Sequence, residues 1–268
     1  MKTKILNFTA FMLILVVSST SCNKQGQGNI SPIDSEINIR MVETFDISPR
    51  TVQFYCTTTK IYPCCNYSIN VEHRQLSNVI DISFKNVIEH DICLTALGPA
   101  FAVIDLGVLS SGTYRLNLNN GSDRRTGELV VTSDSYKVNF ANNPAFRFTN
   151  TPLNRIPEYT IWGTIGYHKQ ETSSLVQSFI ADLIGLGATK KTYNSGFYGE
   201  FDIDKNGDIV QPGSNSGYWF AQSFIFHYLG NIDNVEQLVK QYARDYGIEY
   251  MYISVYSDKG EKFLSWMY

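Results

Sequence analysis

A chain of 268 residues has room for a leader and two ordinary domains, and a formal charge of −3 without any dense Lys/Arg stripe argues against nucleic acid as a partner. Its 17 Tyr and 16 Phe favour sheet over helix. No Gly-x-Ser-x-Gly elbow, P-loop or Rossmann glycine fingerprint occurs, and His73, His90, His168 and His227 form no ligand pair, so the sequence calls for no cofactor.

The first residues have the pattern of a secretory signal: Lys2 and Lys4, an apolar run from Phe8 to Val17, then Ser18-Ser19-Thr20-Ser21 before Cys22. The run is about half the length that crosses a bilayer as a helix, which favours cleavage over a permanent span. Ser19-Thr20-Ser21-Cys22 resembles the lipobox of bacterial lipoproteins, especially those of Bacteroidota, although Ser19 stands where most carry Leu or Val. The resemblance implies a signal peptide over 1–21, acyl chains such as palmitate on Cys22, and a tether over 22–36. It also implies the outer membrane, because Asn23 is not acidic, and the periplasmic face, because Asn23-Lys24-Gln25-Gly26-Gln27-Gly28 carries no acidic run.

Beyond Cys22 an even set remains, Cys56, Cys64, Cys65 and Cys93, which in an exported chain predicts a disulfide framework. Joining the neighbours Cys64 and Cys65 is disfavoured by strain, and the other two connectivities stay open. Over 37–141 the pattern is short strands and turns. Val52, Phe54 and Cys56 share one face, Cys65, Tyr67, Ile69 and Val71 another, and strands follow at 79–84, 101–106, 112–119, 127–132 and 136–140. Leu109, Gly112 and Tyr114 resemble the L-x-x-G-x-Y corner of immunoglobulin-like domains, which implies a β-sandwich and a tyrosine bonded back to its preceding loop.

Pro144, Pro152 and Pro157, set among asparagines, mark 142–157 as an interdomain connection. From 158 to 268 the period changes. A strand over 159–167 precedes a helix with Leu175, Val176, Phe179, Ile180, Leu183 and Ile184 on one face, capped by Thr172 or Ser173 and closed by Gly185 or Gly187. Strands near 199–204 and 218–229 lead to a second helix with Val235, Leu238, Val239, Tyr242 and Ala243 in a stripe, Asp233 as cap and Gly247 as stop. A hairpin over 248–256 and 261–266 closes the chain. This order predicts an α+β domain of the ferredoxin-like split βαβ type, with two helices on an antiparallel sheet.

Asp202, Asp204, Asn206 and Asp208 match the front half of a calcium loop, but Gly213 stands where a bidentate Glu is required, and a hairpin turning at Asn206-Gly207 is the favoured reading. Tyr198, Tyr218 and Trp219 are candidate ligand-binding rings, set against burial in the core. These residues favour a non-catalytic cell-envelope lipoprotein that meets the membrane through its lipid and binds an envelope protein or a glycan. The rivals are an envelope-polymer hydrolase using dispersed carboxylates such as Glu158, Glu200 and Asp202, and an inhibitor of exported proteases.

Overall fold

Ile37, Ile39 and Met41 are fully buried while the residues between them turn outward, so Ile37–Thr44 is a strand with one face in a core, β1. In the computed structural model of the chain, which describes residues 32–45, 49–141, 143–210 and 217–268, the same alternation builds a run of strands. The expected signal peptide, Cys22 and most of the expected tether lie outside the described residues. The strands are β2 (Thr51–Tyr62), β3 (Ser68–Leu76), β4 (Val79–Ile88), β5 (Gly98–Asp105), β6 (Gly112–Asn120), β7 (Asp123–Val131), β8 (Ser135–Asn139), β9 (Phe146–Phe148) and β10 (Leu153–Asn154).

All ten form one mixed sheet in the order β10-β8-β7-β6-β4-β3-β5-β2-β1-β9. The expected immunoglobulin-like sandwich is therefore corrected. A sandwich needs two separate antiparallel sheets, whereas here β4 pairs in parallel with β6, and β3 touches β5 in parallel at Ser68 and Phe101. Alternation along one strand reports which face is buried, not which strand lies beside it. The tyrosine of the corner does bond back, with Tyr114 Oη donating to Ser110 O at 3.0 Å, but a local contact of this kind leaves sheet pairing undetermined.

The sheet curls until its edges approach. β9 pairs with β1 at one edge and β10 with β8 at the other, yet only Thr149 to Pro152 separate them in the chain. Side chains fill the gap. Asn150 Oδ1 accepts from Met41 N and its Nδ2 donates to Met41 O, both at 2.7 Å. Thr151 Oγ1 accepts from Val138 N at 2.8 Å and donates to Val138 O at 3.3 Å. The described part of 142–157 thus belongs to the sheet and is not a free connection. Inside the curl lie Phe54, Phe84, Leu116, Tyr136 and Phe146, all nearly inaccessible. Each such side chain contributes on the order of 1.5–3 kcal/mol by leaving water.

The second layer is β11 (Thr160–Tyr167), α1 (Ser173–Gly185), β12 (Gly196–Phe197), β13 (Asp202–Ile203), β14 (Ile209–Val210), β15 (Phe220–His227), α2 (Ile232–Tyr246), β16 (Met251–Ser257) and β17 (Lys262–Leu264). A four-stranded sheet, β15-β11-β16-β17, carries both helices on one face through Ile161, Ile165, Phe224, Phe226, Ile253 and Val255. The split βαβ prediction is also corrected. That arrangement runs the strands flanking a helix parallel with another between them, but β11 and β15 are direct antiparallel neighbours. After α1 the chain makes the small β12-β13-β14 sheet on the opposite face, and this excursion returns it in the reverse direction. Helix α2 is capped by Asn231, whose side chain accepts from Asp233 N at 3.1 Å, so Asp233 is the residue that is capped; Gly247 closes the helix at φ 72°.

Candidate functional site

On β1 the buried row Ile37, Ile39, Met41 ends in Glu43, which the alternation forces inward although it is charged. A carboxylate so placed needs donors, and they converge from three elements. Tyr136 Oη on β8 donates to Glu43 Oε1 at 2.9 Å, and Arg155 reaches the same oxygen with Nε at 3.0 Å and Nη2 at 3.0 Å. Arg50 Nη1 lies 3.7 Å from Glu43 Oε2, which has no hydrogen-bond partner among the described residues. Burial and the neighbouring Glu43 push the Tyr136 phenol well above its ordinary value.

Arg50 ties the two layers together. Its Nη2 donates to Asp258 Oδ2 at 2.9 Å, its Nη1 to Ile156 O at 2.5 Å, and its guanidinium lies 5.0 Å from the centre of the Phe45 ring. Asp258, in the turn between β16 and β17, also accepts from Thr160 N at 3.1 Å. Burial raises the Asp258 carboxyl above the usual carboxylate value, with Arg50 opposing the rise. Beside it, Tyr159 holds φ 61°, a left-handed conformation costly for a ring-bearing residue. Its carbonyl accepts from Tyr228 N at 2.8 Å, which helps fix that conformation.

Cavities flank this ion-paired seam. One, of about 670 Å³, is lined by Phe45, Arg50, Arg155, Glu158, Tyr159 and Asp258. The other, of about 360 Å³, joins Phe45, Tyr55, Trp162 and Tyr256 to Glu200 and Glu261, with Lys262 at its wall; Glu43 borders it, but its carboxylate is turned inward to Tyr136 and Arg155. Trp162 stacks on Tyr256 at 5.9 Å and meets the edge of Phe45 at 6.1 Å, so the rings are rigidly placed. Glu261 accepts a short hydrogen bond from Ser257 Oγ.

Most sequence candidates lie elsewhere. Tyr198 is buried, stacked on Phe201 at 5.2 Å, with its hydroxyl donating to Asn194 O, and it cannot meet a ligand. Tyr218 is half-buried: it stacks on His168 at 4.5 Å and roofs Gly166, where a Cβ would meet its ring at 2.7 Å. Trp219 is 83 % exposed. Of the dispersed carboxylates, Glu158 lines the larger cavity, Glu200 the smaller one, and Asp202 sits on β13, so they form no joint centre.

The 202–209 segment is a hairpin, with Ile203 opposite Ile209 and Gly207 at φ 85°. Asp204 Oδ1 accepts from Asn206 N at 2.8 Å and Asp208 N at 2.9 Å, which engages the oxygen a cation would need. Among the described residues no group of three or more His, Cys, Asp and Glu is placed to hold a metal; Gly213 lies outside them.

The cysteine framework is corrected as well. Cys64 is bonded to Cys93, while Cys56 is a buried free thiol and Cys65 a half-buried one. Cys56 points into the core of the curled sheet, and burial pushes its thiol strongly upward.

Sequence reasoning missed Glu43, Arg50, Arg155 and Asp258. The inward register of Glu43 was the available signal: a carboxylate in step with Ile37, Ile39 and Met41 must have partners. Comparison with protein-family models, with curated protein sequences and with solved structures finds no match.

Proposed function

We propose that this chain is a lipid-anchored, non-catalytic protein of the bacterial cell envelope that binds a glycan in the smaller seam cavity. The observation that carries the ligand class is the joining of Phe45, Tyr55, Trp162 and Tyr256 with Glu200 and Glu261 around about 360 Å³. Sugar rings present apolar C–H faces that lie on aromatic rings, and hydroxyls that donate to carboxylates. The volume is at the small end of ligand sites, which run from roughly 300 to 1,000 Å³.

The anchor is Cys22, supported by Lys2, Lys4, the apolar run to Val17 and the lipobox-like Ser19-Thr20-Ser21. Its acyl chains hold the protein at the outer membrane on the periplasmic side. A binding role fits better than hydrolysis because Glu43 is held by Tyr136 and Arg155, and Glu261 by Ser257, leaving no free pair for acid–base work. The reading calls for no cofactor, and main-chain donors already engage Asp204 at the 202–209 hairpin. An envelope protein is the second reading, favoured by the exposure of Trp219.

The test is calorimetric titration of the chain from residue 22, carrying Cys22→Ser, with soluble peptidoglycan fragments and envelope polysaccharides, alongside an assay for new reducing ends. Saturable binding lost in Tyr256→Ala and Glu200→Gln, with no reducing ends formed, supports the reading. Product formation replaces it with hydrolysis, and the absence of binding to any glycan overturns the ligand class. The mass of the N-terminal peptide from cells tests acylation of Cys22 separately.

A further inference from the structure

We infer that the protein makes a second contact with the membrane that anchors it, through an apolar crown formed by Ile61, Ile88, Ile92, Leu94 and Leu97; this rests on the lipid-anchor reading above. The loop after β4 is exposed from Ile88 to Leu97, and Ile92, Leu94 and Leu97 are 76 %, 54 % and 77 % accessible. Such a cluster costs solubility unless something covers it.

The loop is held in shape. Cys64–Cys93 staples it to the turn after β2, Asn66 Nδ2 donates to Ile92 O at 2.7 Å, and Asn66 Oδ1 accepts from Leu94 N at 3.2 Å. Cys65 N donates to Leu94 O at 3.3 Å, and Ser68 Oγ lies 3.0 Å from His90 Nε2. The apolar side chains are therefore presented outward by a fixed backbone rather than by a collapsed tail.

The position of the first described residues says what covers them. Asn120, at the end of β6, accepts from Ile33 N at 2.9 Å and donates to Ile33 O at 2.8 Å. Asp34 pairs with Lys60 at 3.1 Å, and Thr59 N donates to Glu36 O at 2.9 Å, so residues 34–36 run beside the strand end that carries Ile61. Asn120 is level with Phe84 of β4, whose last residue is Ile88. The chain toward Cys22 thus leaves from the pole that carries the crown, while Glu43, Arg50 and the seam occupy the opposite pole. Ten residue steps separate Cys22 from Pro32, a contour length of about 35 Å at most.

Within that reach the crown faces the bilayer. Glu89 and Asp91 flank it and Lys60 is paired, so attraction to anionic headgroups does not drive the contact. The aliphatic side chains enter the headgroup–acyl boundary, and the contact is insensitive to salt.

The test holds the chain from residue 22, carrying Cys22→Ser, on phosphatidylcholine vesicles through an N-terminal hexahistidine and nickel-chelating lipid, so the result does not depend on acylation. Leu94→Trp and, separately, Leu97→Trp place a reporter in the crown at exposed positions. Dibrominated phosphatidylcholine is expected to quench the new tryptophan at least twofold more than the parent chain's own tryptophans, unchanged by 0.5 M NaCl. Ile92→Ser added to either variant is expected to reduce the quenching. A reporter that stays unquenched by bromolipid and open to iodide overturns the crown contact, as does one shielded only by a second copy. Quenching in this assay, with no acyl chain found on Cys22 in cells, would retain the crown and remove the anchor.

Discussion

Asn150 and Thr151 are consecutive residues, yet their side chains bond to the main chains of opposite edges of one sheet, Asn150 to Met41 on β1 and Thr151 to Val138 on β8. Each replaces a missing strand neighbour by copying its donor and acceptor. Asn150→Ala leaves a main-chain N–H and C=O of Met41 without partners, at a cost of about 1–3 kcal/mol. Thr151→Val leaves the N–H and C=O of Val138 without partners in the same way and is expected to cost about 1–3 kcal/mol. Denaturant midpoints with an unchanged m-value check both.

Glu43 is the centre of the seam, and its removal takes the carboxylate from Tyr136 and Arg155 while Arg50 keeps Asp258. Glu43→Ala is expected to destabilise by about 3 kcal/mol or more, because breaking a buried ion cluster costs more than the cluster contributes. Tyr136→Phe, which takes away one donor of several, should cost about 1–2 kcal/mol. A double-mutant cycle on Glu43 and Arg155 is expected to show strong coupling; additive losses would contradict the shared-oxygen geometry.

Asp258 and Asp204 respond to pH with opposite sign. The Asp258 carboxyl is raised by burial, so its contribution is fully present below its unfolded value of 3.8 and is lost as pH rises through the folded value. Asp204 is lowered, first by the Asp208 N–H, so its contribution is present above 3.8 and is lost as pH falls through the folded value. Carboxyl carbon shifts in a pH titration are expected to place Asp258 above 3.8 and Asp204 below it. Asp258→Asn should remove the fall of stability with rising pH that begins at 3.8.

The cysteines give a chemical readout. Cys56 and Cys65 are expected to react as thiols once the chain from residue 22 with Cys22→Ser is unfolded without reductant, and only Cys65 in the folded protein. Cys64→Ser with Cys93→Ser opens a loop of sequence separation 29 and is expected to cost about 3–4 kcal/mol by chain entropy. A second disulfide in the folded protein, seen by mass after alkylation, would contradict this pairing.

Most strand and helix positions were legible because they depend on local period, although Ile37–Thr44 was not placed as a strand and Ile184 lies exposed. The apolar face of α1 and the stripe of α2 follow from spacing alone. Sheet order was not legible. Nothing in Val79–Ile88 or Gly112–Asn120 says that these strands run parallel side by side. The prolines around 142–157 read as a break, although Phe146 and Leu153 become edge strands, because pairing across a curled sheet is set by what the other edge lacks. The seam was hidden for a related reason. Arg50 and Asp258 are 208 positions apart, and only the finished fold makes them neighbours. The exposed crown was hidden because Ile92 and Leu97 look like any other core residues until the disulfide fixes where they point.

The latch at Asn150 and Thr151 also sets a timetable. Synthesis delivers the chain N-terminus first, and Met41 waits 109 positions for the side chain that completes its edge. Until then β1 offers an open row of main-chain donors and acceptors to any neighbouring strand. The closing of this sheet comes only when its last two strands have been made, and a holding chaperone has its greatest effect in that interval.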